Sequence, residues 1–231
     1  MTYEYLISGL DDLQVGQKSK LPFDELLLLL EEQMSPADFS LIEQLRKRQD
    51  APDVVALMED DAVQDRFHET SLSEEDFRTQ LLYEQGMKSR NKFIRAWYEF
   101  NLNLNNVMAA VVCQKHGYDP EKVIVGDNEV AQLLRKGNLL KNAGLAAALP
   151  ELKEIVAVSE IQNLLDRERH IDALRWQWLE EYTRFMYFRV ENVLAYYLQA
   201  EILHRWDDLT REQGEVIFRQ LLADMKKDIK F

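Results

Sequence analysis

At 231 residues, 46% of them hydrophobic and 30% charged, the chain has enough apolar material for a sizeable core and too much to be a disordered segment. Eight glycines and five prolines are few for that length, which counts against a turn-rich β fold and for long helices. A formal charge of −13, from 28 basic and 41 acidic residues, counts against general binding to nucleic acid or to an anionic membrane, where a positive field supplies most of the attraction.

The opening MTYEYLISGLDDL lacks a basic stretch followed by a long apolar run, so no secretory signal is expected. Leu26 to Leu30 is the longest aliphatic run and falls far short of a membrane span, so no direct membrane insertion is expected either. Cys113 is the only cysteine, which rules out an internal disulfide and a thiol-rich metal site. The cytoplasm is the expected compartment.

In chain order, PFDELLLLLEEQM (Pro22 to Met34) reads as a buried helix. In SPADFSLIEQLRKRQ, Ser35 stands as N-cap, Pro36 at the first helical position and Asp38 in the first turn, before a basic end. APDVVALMEDDAV reads as one further short helix. SLSEED (Ser71 to Asp76) then opens a long helical pattern running to about His116, with a kink or break expected near Gly86.

That pattern contains FNLNLNNVMAAVV (Phe100 to Val112), whose first residues alternate asparagine and leucine as a half-buried strand does. The alternation is short. Phe93, Trp97, Phe100, Leu104, Val107 and Val111 follow one another at intervals of 3 and 4, one stripe of a helix, and the longer pattern decides for helix. Between His116 and about residue 160, short helices are expected, separated by Gly137, Gly144 and Pro150, with Asp127 capping one that Gly137 closes.

A second long helix is expected from about Ile171 to Trp206. Trp176, Leu179, Tyr182, Met186, Val190, Val193, Tyr197, Ala200 and Leu203 keep the same spacing, and an unbroken helix over this range spans roughly 54 Å. TREQGEVIFRQLLADMKK follows as a final amphipathic helix with a capping box of Thr210 and Gln213. Setting LNNVMA (Leu104 to Ala109) on VENVLA (Val190 to Ala195) aligns Asn106 with Asn192, Val107 with Val193 and Ala109 with Ala195; Trp97 against Thr183 is a mismatch. The chain therefore reads as a single all-helical domain of two related halves, built around long helices at about 73–116 and 171–206 with short helices inserted between.

Signals for chemistry are sparse. Glu201 and His204 have the Glu-x-x-His spacing of helical di-iron bundles, but such sites need two copies and two more carboxylates. Asp65 with His68 is the nearest second copy, so a packed or capping histidine is the simpler reading. Cys113 with His116 lacks both a second cysteine and an orienting acid, and reads as an inert thiol at a helix end. No Gly-rich phosphate loop, G-x-S-x-G or H-E-x-x-H is present, and no cofactor is expected.

Two features point to partners instead. Lys88, Lys92 and Arg95 share a face if the helix runs through them, either as a solvated face or as a docking patch for an acidic partner. In WQWLEEYTRFMYFRVENVLAYY, Trp178, Phe185, Phe188 and Tyr196 fall off the core stripe, and a helix apolar on several faces needs cover on several sides.

YEFNLNLNNVMAAVVCQKHGYDP (Tyr98 to Pro120) and FRVENVLAYYLQAEILHRW (Phe188 to Trp206) resemble the C-type subunit of V/A-type ATPases, known in eukaryotes as the d-type subunit. In the second segment Val193, Leu194, Ala195 and Tyr196, followed by Glu201 and Arg205, carry the likeness. The opening TYEYLISGLDDL is similar to that of a short bacterial family of unknown function encoded beside V-type ATPase genes. The resemblance implies an all-helical, non-enzymatic subunit that seats on the proteolipid ring, receives the rotor shaft and couples the two, held at the inner membrane by protein contacts. It marks Asn106, Val107, Asn192, Val193, Ala195, Tyr196, Glu201 and Arg205 as motif positions, the two asparagines organising helix packing by hydrogen bonds. The C-type subunit has three repeated lobes where this chain shows two. The residues by themselves leave two other readings, a helical-bundle metal protein or enzyme using Glu201 and His204, and a generic helical adaptor.

Overall fold

A computed structural model describes residues 2–17, 20–137 and 143–208. Among them are twelve α-helices and one 3-10 turn, with no strand. The all-helical expectation is met. The expected final helix and its Thr210–Gln213 capping box lie outside the described residues.

The chain divides into two compact units: one joins Met1–Phe39 to Trp176–Phe231, and the other is Ser40–Arg175. The first contains α1 (Glu4–Gly9), α2 (Phe23–Gln33), the start of α3 (Pro36–Arg46), the end of α11 (Leu164–Thr183) and all of α12 (Val190–Asp208). Its buried residues include Leu26 and Leu30 of α2 and Val193, Leu194, Tyr197 and Leu198 of α12, and these two helices pack together. Ser35 caps α3 as expected, its Oγ accepting from Asp38 N–H at 3.2 Å.

The second unit is organised on α7 (Lys92–His116), against which α6 (Glu74–Met87), α8 (Glu129–Arg135) and α10 (Leu152–Ser159) pack. α7 is apolar on more than its predicted stripe: Phe93, Ile94, Leu102, Leu104 and Val107 are fully buried, and between Tyr98 and Val107 only Glu99 and Asn105 are exposed. A helix buried around most of its circumference over its middle turns is the centre of a bundle. The 3-10 turn Pro120–Lys122 packs on α7 and α8, α9 (Ala143–Ala148) on α8, α4 (Pro52–Leu57) on α6, and α5 (Asp61–Glu69) meets α6 through Phe67 and Phe77.

Several local expectations need correction. APDVVALMEDDAV forms parts of two helices, because Asp60 turns the chain and caps α5 by accepting from Ala62 and Val63 N–H. Asn128 caps α8, accepting from Ala131 N–H at 2.9 Å, whereas Asp127 is exposed outside it. Gly144 sits inside α9, while Gly137, at φ +75°, does end the α8 segment.

Both long helices are interrupted. The first stops at Met87 and resumes at Lys92; the second begins earlier than expected, at Leu164, stops at Thr183 and resumes at Val190. The unbroken helix over 171–206 is therefore not formed. Moved by the 86 residues that align Asn106 with Asn192, the first interruption falls on Leu174–Gln177 inside α11, and the second on Tyr98–Asn103 inside α7. The two long segments share a hydrophobic stripe but not their points of interruption.

Candidate functional site

The four asparagines of α7 each hold a different neighbour. Asn106, 1% exposed, grips the backbone of Val125 with both ends of its amide: Nδ2 donates to Val125 O at 2.8 Å and Oδ1 accepts from Val125 N–H at 3.0 Å. Asn101 Nδ2 donates to Trp97 O, and its Oδ1 accepts from Arg175 Nε at 2.9 Å. Asn103 Oδ1 accepts from Asn128 Nδ2 at 2.8 Å, and Asn105 Nδ2 donates to Tyr83 Oη at 2.6 Å. An amide side chain carries both donors and an acceptor, so it satisfies a buried backbone segment that no apolar residue can.

Val125 belongs to a buried loop, Ile124–Gly126, held from three directions. Besides Asn106, Gln80 of α6 accepts from Gly126 N–H at 3.0 Å, and Arg135 of α8 donates to the carbonyls of Ile124 and Gly126. Gly126 takes φ +79° with its Cα against Leu102, whose Cδ2 would stand 3.0 Å from any added Cβ. Asp172, 3% exposed, pairs with Arg175 at 3.0 Å, and Arg175 in turn reaches Asn101. This buried pair was missed from the sequence, although its i,i+3 spacing on a helix was the available signal. Burial pushes the Tyr83 phenol up, opposed by the nearby Arg175 charge. The network positions helices and contains no nucleophile matched to a base.

Asn192, the sequence counterpart of Asn106, does something different. It is half-buried at the start of α12, and its Oδ1 accepts from Arg189 N–H at 3.3 Å, a local cap. Val107, Val193 and Ala195 are buried core residues. Tyr196 is half-buried, its phenol pushed up to about 12, first by burial and then by Asp11 and Asp12. Glu201 Oε1 accepts from Tyr197 Oη at 3.4 Å, and the exposed Arg205 lies over the Trp206 ring at 6.0 Å. Asn106 and Val107 stand in one unit; Asn192, Val193, Ala195, Tyr196, Glu201 and Arg205 stand in the other.

His204 stacks on Phe23, ring centroids 4.7 Å apart, beside a cavity of about 190 Å³ also lined by Asp24 and Asp207. Among the described residues no three His, Cys, Asp or Glu side chains converge as a metal site needs. Burial pushes the Cys113 thiol up, with Asp119 adding to it, so the sulfur is held as the unreactive thiol. His116 packs on Tyr118 rather than on Cys113.

The basic run is not one helical face. Lys88 ends α6 and Lys92 begins α7, both exposed, while Arg95 folds back to donate to Ser89 O at 2.6 Å and Arg90 O at 3.1 Å. Asn91 caps α7 through Phe93 and Ile94 N–H, Ser89 Oγ donates to Gln44 Oε1, and Tyr98 Oη donates to Gln44 O at 2.7 Å. Arg95 thereby covers two carbonyls of the interruption. Gly86 is required here, since an added Cβ would lie 2.2–2.4 Å from the Tyr98 ring.

The second interruption has the opposite character. Arg184–Arg189 reads RFMYFR, with Phe185 80%, Tyr187 72% and Phe188 37% exposed and both arginines at the surface. Phe188 adopts φ +57°, a left-handed conformation costing a bulky residue about 1 kcal/mol or more. Its carbonyl accepts from Tyr3 N–H at 2.7 Å, tying the turn to α1, where Tyr5 is 95% exposed. Phe185 and Phe188, off the core stripe in the sequence, face outward in the fold.

Among the described residues no helix is long and apolar enough to cross a membrane. A family model described as Protein of unknown function (DUF2764) matches residues 61–229, well over half of the chain. No curated protein and no solved structure matches it.

Proposed function

The chain belongs to the DUF2764 family, and we propose that it is a non-catalytic assembly and coupling subunit of a V-type rotary ATPase, linking the rotor shaft to the membrane proteolipid ring. The observation that carries the reading is the polar locking of α7: Asn101, Asn103, Asn105 and Asn106 tie one central helix to α6, α11, the α8 cap and the Ile124–Gly126 loop. A coupler transmits force through stiff helices whose contacts do not slide, and hydrogen bonds with fixed partners and directions resist sliding where apolar packing alone does not. The resemblance of Tyr98–Pro120 and Phe188–Trp206 to the C-type subunit of V/A-type ATPases supplies the machine; the locked helix supplies the physical fit. With Arg95 turned inward, the cationic contribution to docking falls to Lys88 and Lys92.

The test is purification of the tagged chain at native expression from gently solubilised membranes of its host. Shaft and proteolipid subunits are expected in stoichiometric amounts. Recovery of the chain alone, from a host making an intact V-type ATPase, rejects the reading, and metal analysis of the pure protein then decides on the Glu201 and His204 alternative.

A further inference from the structure

The exposed turn Arg184–Arg189 combines three properties in one place. Its residues are all of the types enriched at protein interfaces: arginine, phenylalanine, methionine and tyrosine. Two of its aromatic rings stand almost wholly in water, and the third is carried on a backbone conformation that bulky residues rarely adopt. Both signs of charge flank the rings. Glu180 and Glu181 are exposed at the end of α11, one helical turn before Arg184 and Phe185; Arg189 closes the turn, 3.5 Å from Glu191.

The charges select the occupant. An anionic lipid surface or an acidic peptide that met Arg184 and Arg189 would be repelled by Glu180 and Glu181, and a basic partner would meet the reverse problem. A surface carrying aromatic rings between its own positive and negative groups is complementary to itself. In a two-fold contact the same patch serves both sides, so, with Glu180 accepting from Trp176 Nε1 at 2.8 Å within its own chain, Arg184 of one copy faces Glu181 of the other while the rings stack across the axis.

We propose that the Arg184–Arg189 turn, with Glu180 and Glu181, is the contact through which two copies of this chain pair in solution. The proposal is independent of the rotary-ATPase reading. Light scattering and sedimentation of the full chain over the micromolar range test it. The wild-type chain is expected to dissociate from dimer to monomer on dilution. Phe185→Ser with Tyr187→Ser should be monomeric throughout, with helical circular dichroism unchanged. Arg184→Glu should weaken pairing by about tenfold or more, and adding Glu181→Arg to it should restore pairing, because the swapped charges again face each other. These exposed charge variants do not touch the core, so they decide the matter even if the aromatic variant folds poorly. A wild-type chain monomeric across the range, pairing unchanged in the aromatic variant, or a charge swap that fails to restore it overturns the proposal.

Discussion

The two helix interruptions are the same local event with opposite outcomes. At Lys88–Asn91 the chain turns and closes on itself: Asn91 caps, Arg95 covers the carbonyls of Ser89 and Arg90, and Gly86 gives way to the Tyr98 ring. At Arg184–Arg189 the chain turns and opens, with its apolar rings outward and its backbone held by Tyr3 and Asn192. A break whose polar groups and rings find partners inside the unit is architecture. One that leaves aromatic rings in water, on a backbone that resists the shape, is a surface built for contact.

The closed turn is tested most severely at Gly86. Gly86→Ala drives a methyl into the Tyr98 ring and should cost about 3 kcal/mol, read as a lowered urea midpoint; Tyr98→Ala in the same chain should remove the clash and make the two effects non-additive. Asn106→Leu comes next. It strands the N–H and C=O of buried Val125 and should cost about 2–3 kcal/mol, while Asn192→Ala, which loses one local cap, should cost about 1 kcal/mol or less. Equal costs at the two positions would restore the equivalence of Asn106 and Asn192. At the open turn, Phe185→Ser should change stability by about 0.5 kcal/mol at most, since an exposed ring contributes little to folding.

A further effect concerns pH. Tyr196 is held at about 12 against an ordinary 10.0, and Cys113, Tyr83 and Tyr3 are also shifted upward by burial. A folded state that keeps these protons more tightly than the unfolded chain has its full stability below the ordinary values and loses it as the pH rises through the raised ones. The urea midpoint should therefore be flat to about pH 9 and fall from there towards pH 12, and Tyr196→Phe should flatten the upper part of that fall.

Much of the helical layout was legible because its signals are local. Ser35 caps the helix that follows it, α6 begins within SLSEED, and Phe93 to Val107 is buried along its stripe except for the half-exposed Trp97. The break in the second long helix was not legible. No proline or glycine marks it, and Met186 keeps the helical spacing straight through the turn. The break is held by contacts from elsewhere in the chain, above all Tyr3 N–H on the Phe188 carbonyl. Of the site residues, Asn106 could be named from its motif but its partner could not, because Val125 lies across a loop rather than one helical turn away.

The order of amino acids is enough to dictate the class: few glycines and prolines, apolar residues three and four apart, and caps in place yield helices whatever surrounds them. Packing in three dimensions sets where the second long helix stops, which asparagine clamps a loop and which merely caps, and that Arg95 turns inward while Phe185 and Tyr187 turn out. The reason is one of energy and range. Periodicity and capping act within a few residues, whereas the first interruption takes a partner 45 residues away, Gln44 on Ser89, and the second one 185 residues away, Tyr3 on Phe188.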